Sequence, residues 1–526
     1  MRMKKFALAF ALIAALALPM FAAVNYNLNL GTEPPNLDAQ IATDTTSGMI
    51  LAHVQEGLVR YAKDGSIMAG MAEKWTVSPD GKTYTFTMRK NVKWSNGDPV
   101  TAADFEFGIK RALDPATASE YAYILFDIAN AEKANAGEVG LDQVGVKANG
   151  NTLTITLKGP VPYFLSILCF PTAQPLNEKF FKTVGDKYAS DADKMLYNGP
   201  YFIKEWKHSD KMILAKSTSY WNAKEIKLDT ITGYMITDSN TAVTMFYNKE
   251  LDQIGIPGPR VQEFKDKGYA VQVFTDAAVF YIEMGENNPA LKNLNIRKAV
   301  NAALDRDSFC KNVLKTSSLP AMAFVSPTIM GLKKTFRDEG PATFYKDNDS
   351  AAAKAFLAAG LKELNLTALP PLNMICDDSD RAKLYAAAVQ DMLKKNAGIE
   401  VAINPMPFKA RLQKMSSRDY DLVMAGWGPD YNDPMTYLDM WVTDGGNNHT
   451  GWSNAKYDDL IAKAKAEPAA AKRMGYLVDA EKLLMAELPI APIYWRFNPW
   501  AAQTNVSGIV RRGVGPDPDL YWTVKK

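Results

Sequence analysis

Residues 75–113, WTVSPDGKTYTFTMRKNVKWSNGDPVTAADFEFGIKRAL, carry three successive signals of local structure. Apolar and polar residues alternate on both sides of Pro79-Asp80-Gly81-Lys82, the pattern of two half-buried strands joined by a tight turn. Asn96-Gly97-Asp98-Pro99 marks a second turn. The spacing then predicts a helix over 101–113 with Thr101 as its N-cap. Residues 151–157, NTLTITL, read as a further strand, so this part of the chain is rich in strands and turns.

The pattern changes in the second half. Helices are predicted over 296–314, 349–359, 380–396, 455–465 and 470–486. Strands at 372–375, 400–403 and 422–424 alternate with them, which indicates an α/β body. No internal repeat, low-complexity tract or long linker interrupts the chain. About 500 residues without visible boundaries imply domains assembled from discontinuous segments.

The N-terminus is basic, with Arg2, Lys4 and Lys5, and is followed by an uncharged apolar run over 6–18, Pro19 and Ala22-Ala23. This is the pattern of a secretory signal peptide over 1–23, too short for a permanent membrane helix. The first cysteine is Cys169, so no lipid anchor is expected. The formal charge of +2 becomes −1 when the first 23 residues leave, which gives no electrostatic case for nucleic acid. Cys169, Cys310 and Cys376 are widely spaced and odd in number, and no disulfide is expected.

Enzyme and metal chemistry find little support. The three histidines are far apart, and no H-E-x-x-H, G-x-S-x-G or G-x-G-x-x-G motif occurs. Gly81-Lys82-Thr83 imitates a phosphate loop, but Thr76 stands where that motif needs glycine and the context is a hairpin. No metal and no cofactor are expected.

Residues 424–441, MAGWGPDYNDPMTYLDMW, are the most informative for function. Two prolines and two glycines surround Asp430, with Trp427 and Tyr431 beside it, so a rigid loop should aim this carboxylate at an aromatic-walled space. A carboxylate so placed receives an ammonium through charge-assisted hydrogen bonds, each worth roughly 1.5–3 kcal/mol. Asp433 is better placed to cap a helix starting near Met435.

Residues 72–115 and 424–434 resemble the oligopeptide-binding branch of family 5 of the bacterial extracytoplasmic solute-binding proteins, which serve ABC importers. Further collinear matches are Tyr197-Asn198-Gly199-Pro200-Tyr201, Leu304-Asp305-Arg306 and Asn454-Ala455-Lys456-Tyr457-Asp458. The resemblance implies an α/β, two-lobed periplasmic-binding-protein (Venus flytrap) fold with an extra inserted domain. Its three discontinuous domains would be lobe I (24–55, 181–277 and 498–526), domain II (56–180) and lobe III (278–497). It implies a periplasmic monomer that captures oligopeptides by lobe closure and hands them to an inner-membrane ABC permease, without enzymatic chemistry.

The resemblance assigns the ligand's α-amino group to Asp430. It places Gly426, Trp427, Gly428, Tyr431 and Asn432 around that group. It adds Thr45, Tyr121, Tyr281 and His449 as further ligand-binding positions, and Tyr123 and Trp452 near the ligand. A disulfide found in many relatives aligns with Ala278 and Gly428 and is missing here. Basic residues and a histidine that anchor the ligand's C-terminal carboxylate in relatives align with Leu314, Ala382, Met415, Ser416 and Met424, all neutral. Arg381, Lys383, Arg411 and Arg418 are candidate substitutes. Other ligands used by such proteins are murein peptides, nickel chelates, haem, opines and oligosaccharides; a secreted hydrolase is the alternative from another class.

Overall fold

The computed structural model describes residues 23–526; the expected signal segment lies almost wholly outside the described residues. In the hairpin, Ala72–Val77 pairs with Thr83–Met88. Its turn closes by Ser78 N–H to Thr83 O (2.9 Å) and Gly81 N–H to Ser78 O (2.8 Å), with Gly81 at φ +70°, where a side chain is strained. Helix Ala102–Leu113 begins where Thr101 N–H donates to the Asp104 carboxylate at 2.7 Å. It buries Phe105, Ile109, Ala112 and Leu113 along one face, at the i, i+4, i+7 and i+8 spacing of an amphipathic helix.

This hairpin belongs to a four-stranded antiparallel sheet completed by Thr152–Thr156 and Val146–Asn149. A second four-stranded sheet brings distant segments together: Asn25–Asn29 lies parallel to Thr230–Tyr234, which continues to Lys211–Lys216 and Tyr201–Lys207. A three-stranded sheet joins Gln253–Gly255, Asn498–Ala502 and Gln272–Phe274. A mixed six-stranded sheet runs in the order Leu319–Pro320, Ile490–Trp495, Val279–Met284, Leu422–Trp427, Leu372–Asp377, Val401–Met406.

Two connections carry the chain from the three-stranded to the six-stranded sheet, over 274–279 and 495–498. They are tied to each other: Arg496 N–H donates to Ala278 O at 2.8 Å, and the Arg496 guanidinium pairs with Asp276. A paired double crossing is a natural hinge, because few torsions separate two sheets that are each internally bonded.

The helix predicted over 296–314 is not continuous. Leu294–Ala303 ends at an extended Leu304, Asp305 caps a new turn through Ser308 N–H (2.9 Å), and Phe309–Leu314 is a wide π turn. Arg306 explains the break. Its guanidinium is fully buried and donates to Pro492 O (2.6 Å), Asn301 Oδ1 (2.6 Å) and Asp347 (3.1 Å), partners that a straight helix does not face. Cys169, Cys310 and Cys376 are free thiols, Cys310 buried among apolar side chains. Among the described residues no helix is long and apolar enough to cross a membrane.

Candidate ligand-binding site

A cavity of about 680 Å³ lies where the N-terminal segment, the body of the hairpin sheet and the six-stranded sheet meet. The body of the hairpin sheet contributes Glu120 and Tyr121, the N-terminal segment Asp44 and Thr45, and the body of the six-stranded sheet Tyr281, Gly426 to Asp430 and His449.

Asp430 is held from both sides. Its N–H donates to Thr436 Oγ1 (3.1 Å), and that hydroxyl donates back to Asp430 Oδ2 (3.2 Å). The Tyr121 hydroxyl points at Oδ1 from across the cavity at 3.5 Å. Trp427 Nε1–H donates to Thr436 O at 2.8 Å, so the loop is stitched across its own base. Among the described residues no Lys, Arg or His nitrogen pairs with this carboxylate, whereas nearby Asp439 has Lys465 at 3.3 Å. Burial, reinforced by the Asp439 charge, pushes the Asp430 carboxyl well above the usual carboxylate range. A cation arriving beside it favours the ionised form.

Asp433 does more than cap. It accepts Met435 N–H at 2.9 Å, and both of its oxygens pair with Arg473 at 2.8 Å, locking the loop to helix Ala470–Glu487. Asp433→Asn is therefore expected to cost roughly 1.5–3 kcal/mol of stability rather than the smaller value of a cap alone. Urea unfolding of the purified protein measures it.

The strand Leu422–Trp427 offers a free edge. Its neighbour Leu372–Asp377 pairs with it only at Leu422 and Val423. On its other side the ladder to Val279–Met284 runs through Trp427, and Gly285 N–H donates to Asp421 O (2.8 Å) on the next rung. Alternation along an antiparallel ladder then turns the amides of Ala425 and Trp427 toward that neighbour. Those of Gly426 and Gly428 face the open side, toward the cavity. Gly426 is exposed, and a Cβ there would come within 2.7 Å of the Phe280 ring.

Eight of the ten sequence-nominated residues line the cavity: Asp430, Trp427, Gly426, Gly428, Tyr281, Thr45, Tyr121 and His449. Two do not. Tyr431 turns away and stacks on Tyr163 at 4.3 Å, and Asn432 is exposed, its side chain accepting Met330 N–H at 3.2 Å. Tyr123 and Trp452 also lie behind the wall, Tyr123 stacked on Tyr121 and Trp452 edge-to-face with Tyr457. The Tyr121–Trp427 stack (6.0 Å, 9°) joins two bodies, as does Tyr163–Tyr431.

All five neutral positions, Leu314, Ala382, Met415, Ser416 and Met424, are on the cavity wall. Of the basic substitutes, Arg381 and Arg411 line it and Lys383 and Arg418 do not. Arg411 is already bonded to Asp377 at 2.6 Å. Asp44 and Glu120 were missed in the sequence; each directly precedes a nominated residue, which was the available signal. Asp44 caps Ser47 N–H through Oδ1 (2.8 Å), and burial pushes its carboxyl up to about 6.

Residues 66–449 match the model of the bacterial extracellular solute-binding proteins, family 5. The chain belongs to that family. It is 39% identical to the oligopeptide-binding protein OppA of Bacillus subtilis, over 93% of this chain and 90% of the relative. OppA of Listeria monocytogenes, solved bound to peptide, superposes with a TM-score of 0.91 at 33% identity, covering 96% and 99% of the two chains. The murein tripeptide-binding protein of Escherichia coli, 26% identical, superposes at 0.88 in one structure and at only 0.62 in its unliganded open form, with 96% of this chain covered in each and 98% and 97% of the other. The lobes of this family 5 protein are therefore disposed as in the former, not as in the open form.

Proposed function

We propose that this family 5 protein captures peptides with a free N-terminal amine and delivers them to an ABC permease. It works by equilibrium binding in a closing cleft, without chemistry on the ligand. The observation that carries the reading is the half-buried Asp430 carboxylate, which has no basic partner among the described residues and lies beside an unpaired strand edge. The acid supplies charge recognition of the ammonium. The edge supplies main-chain hydrogen bonds that ignore side-chain identity. Water in the side pockets accommodates the rest.

The division into 24–55, 181–277 and 498–526, then 56–180, then 278–497 is supported by the double crossing between the two sheets. The site of action proposed is the periplasm, after cleavage near Ala23, with the protein a monomer.

The neutral wall at the five C-terminal anchor positions favours a ligand whose C-terminus is weakly held or blocked, so amidating a bound peptide is expected to change affinity by less than about threefold. N-acetylation removes the charge Asp430 recognises and is expected to cost far more. Isothermal titration with a peptide and its two capped forms makes the comparison, and a larger loss on amidation counts against this assignment of the ends. Binding also stabilises by mass action, by about 2.7 kcal/mol at a hundredfold excess over Kd. Recovery of cleaved rather than intact peptide from the protein would turn the reading toward a hydrolase.

A further inference from the structure

Glu120 and His449 meet across the cavity from different bodies and take no part in holding Asp430. Glu120 precedes Tyr121 in the segment after helix Ala102–Leu113, beside the hairpin sheet, and His449 lies in the loop before Gly451, beside the six-stranded sheet. His449 Nε2 stands 3.9 Å from Glu120 Oε2, and both side chains line the cavity. The two ring nitrogens of His449 are buried and have no hydrogen-bond partner. Burial, with Arg418 and Arg411 nearby, pulls this imidazole down to about 4, so it is neutral.

Glu120 forms no ion pair with a Lys or Arg among the described residues, and the Ser416 hydroxyl lies beside it. The two nearby arginines are engaged elsewhere, Arg411 by Asp377 and Arg418 by Asn448 O at 3.3 Å. The position of Glu120 is fixed by packing: a Cβ at Gly446 would collide with its main-chain carbonyl, so only glycine lets the two bodies approach this closely. The buried imidazole nitrogens with no partner are costly unless a ligand supplies a donor, and the half-exposed Glu120 carboxylate beside them supplies the charge that would attract a cationic one.

We propose that Glu120 and His449 form a side-chain subsite for a cationic ligand residue, lysine or arginine, completed only when the lobes close. The proposal rests on the peptide reading above. An ammonium or guanidinium has several N–H donors: some are accepted by the Glu120 oxygens and one by the imidazole lone pair, with Ser416 Oγ in reach. The cation restores local neutrality, and a ligand carboxylate at the same place meets Glu120 and is repelled. Asp430 is occupied by the α-ammonium, so this subsite reads the side chain.

The test is calorimetric titration of the full protein with pentaalanine, its five single-lysine variants and five norleucine counterparts that control for the aliphatic stem. At one position lysine is expected to bind at least tenfold tighter than norleucine. In E120Q, and separately in H449A, that ratio falls to within about twofold. A ratio near one at every position, or one that survives E120Q, overturns the subsite while leaving peptide capture standing. Failure of every peptide in the series to bind overturns peptide capture, and the subsite with it.

Discussion

Asp430→Asn is expected to weaken peptide binding by roughly 3–5 kcal/mol, two to three orders of magnitude or more in Kd, with the fold intact. The mutation leaves Thr436 and Tyr121 their hydrogen-bonding partner, so the loop keeps its stitching. What it removes is the charge that meets the ammonium in a water-poor cleft. The pH dependence follows with a definite sign. Burial raises the Asp430 carboxyl in the closed protein, and an arriving ammonium favours the ionised form, so binding releases a proton wherever the acid is still protonated. Affinity should therefore weaken as pH falls. Asp430→Asn should flatten that dependence, leaving the smaller contributions of Asp44 and Glu120. Calorimetry across pH, with the proton count read from buffers of different ionisation enthalpy, checks both.

Arg306→Leu carries the largest expected loss of stability, about 3–5 kcal/mol, because it strands a network rather than a pair. Asn301, Pro492 O and Asp347 all lose the donor they share, and the first two have no water to turn to. Arg306→Lys should recover only part of this, since a point charge cannot span three acceptors that a planar fork reaches together. Denaturant unfolding of the two variants is the measurement. Equal stability of Arg306→Leu and the parent would show that the split in the helix has another cause.

The split also shows where the sequence is readable. Thr101 as a cap, the hairpin at Gly81 and the helices over 380–396, 455–465 and 470–486 are set by neighbours a few residues away, and they appear within about two residues of the expected ends. Leu304-Asp305 looks helical by periodicity alone. The break there is decided by Arg306 reaching Pro492, 186 residues on. The same holds for Asn25–Asn29, whose sheet partner lies more than 200 residues away, and for the second role of Asp433, which needs Arg473.

At the site, proline and glycine around Asp430 made its fixed direction legible, because those residues restrict or free the backbone locally. Whether Tyr431 faces the cavity was not legible. Its orientation is set by Tyr163 on another body, and a stack between bodies leaves no mark on the spacing of either segment. Glu120 was hidden for a related reason: an isolated acid reads as a surface charge until His449 is brought within 3.9 Å of it.

The central claim is that Asp430 and the ligand ammonium form one interaction. A double-mutant cycle addresses it most directly, with wild type and Asp430→Asn each titrated with a free and an N-acetylated form of the same peptide. The two single changes should each lose two or more orders of magnitude in affinity, and the combination should lose little more than either alone. Additive losses, or equal affinity of Asp430→Asn and wild type for the free peptide, would contradict the assignment and place the ammonium elsewhere in the cavity.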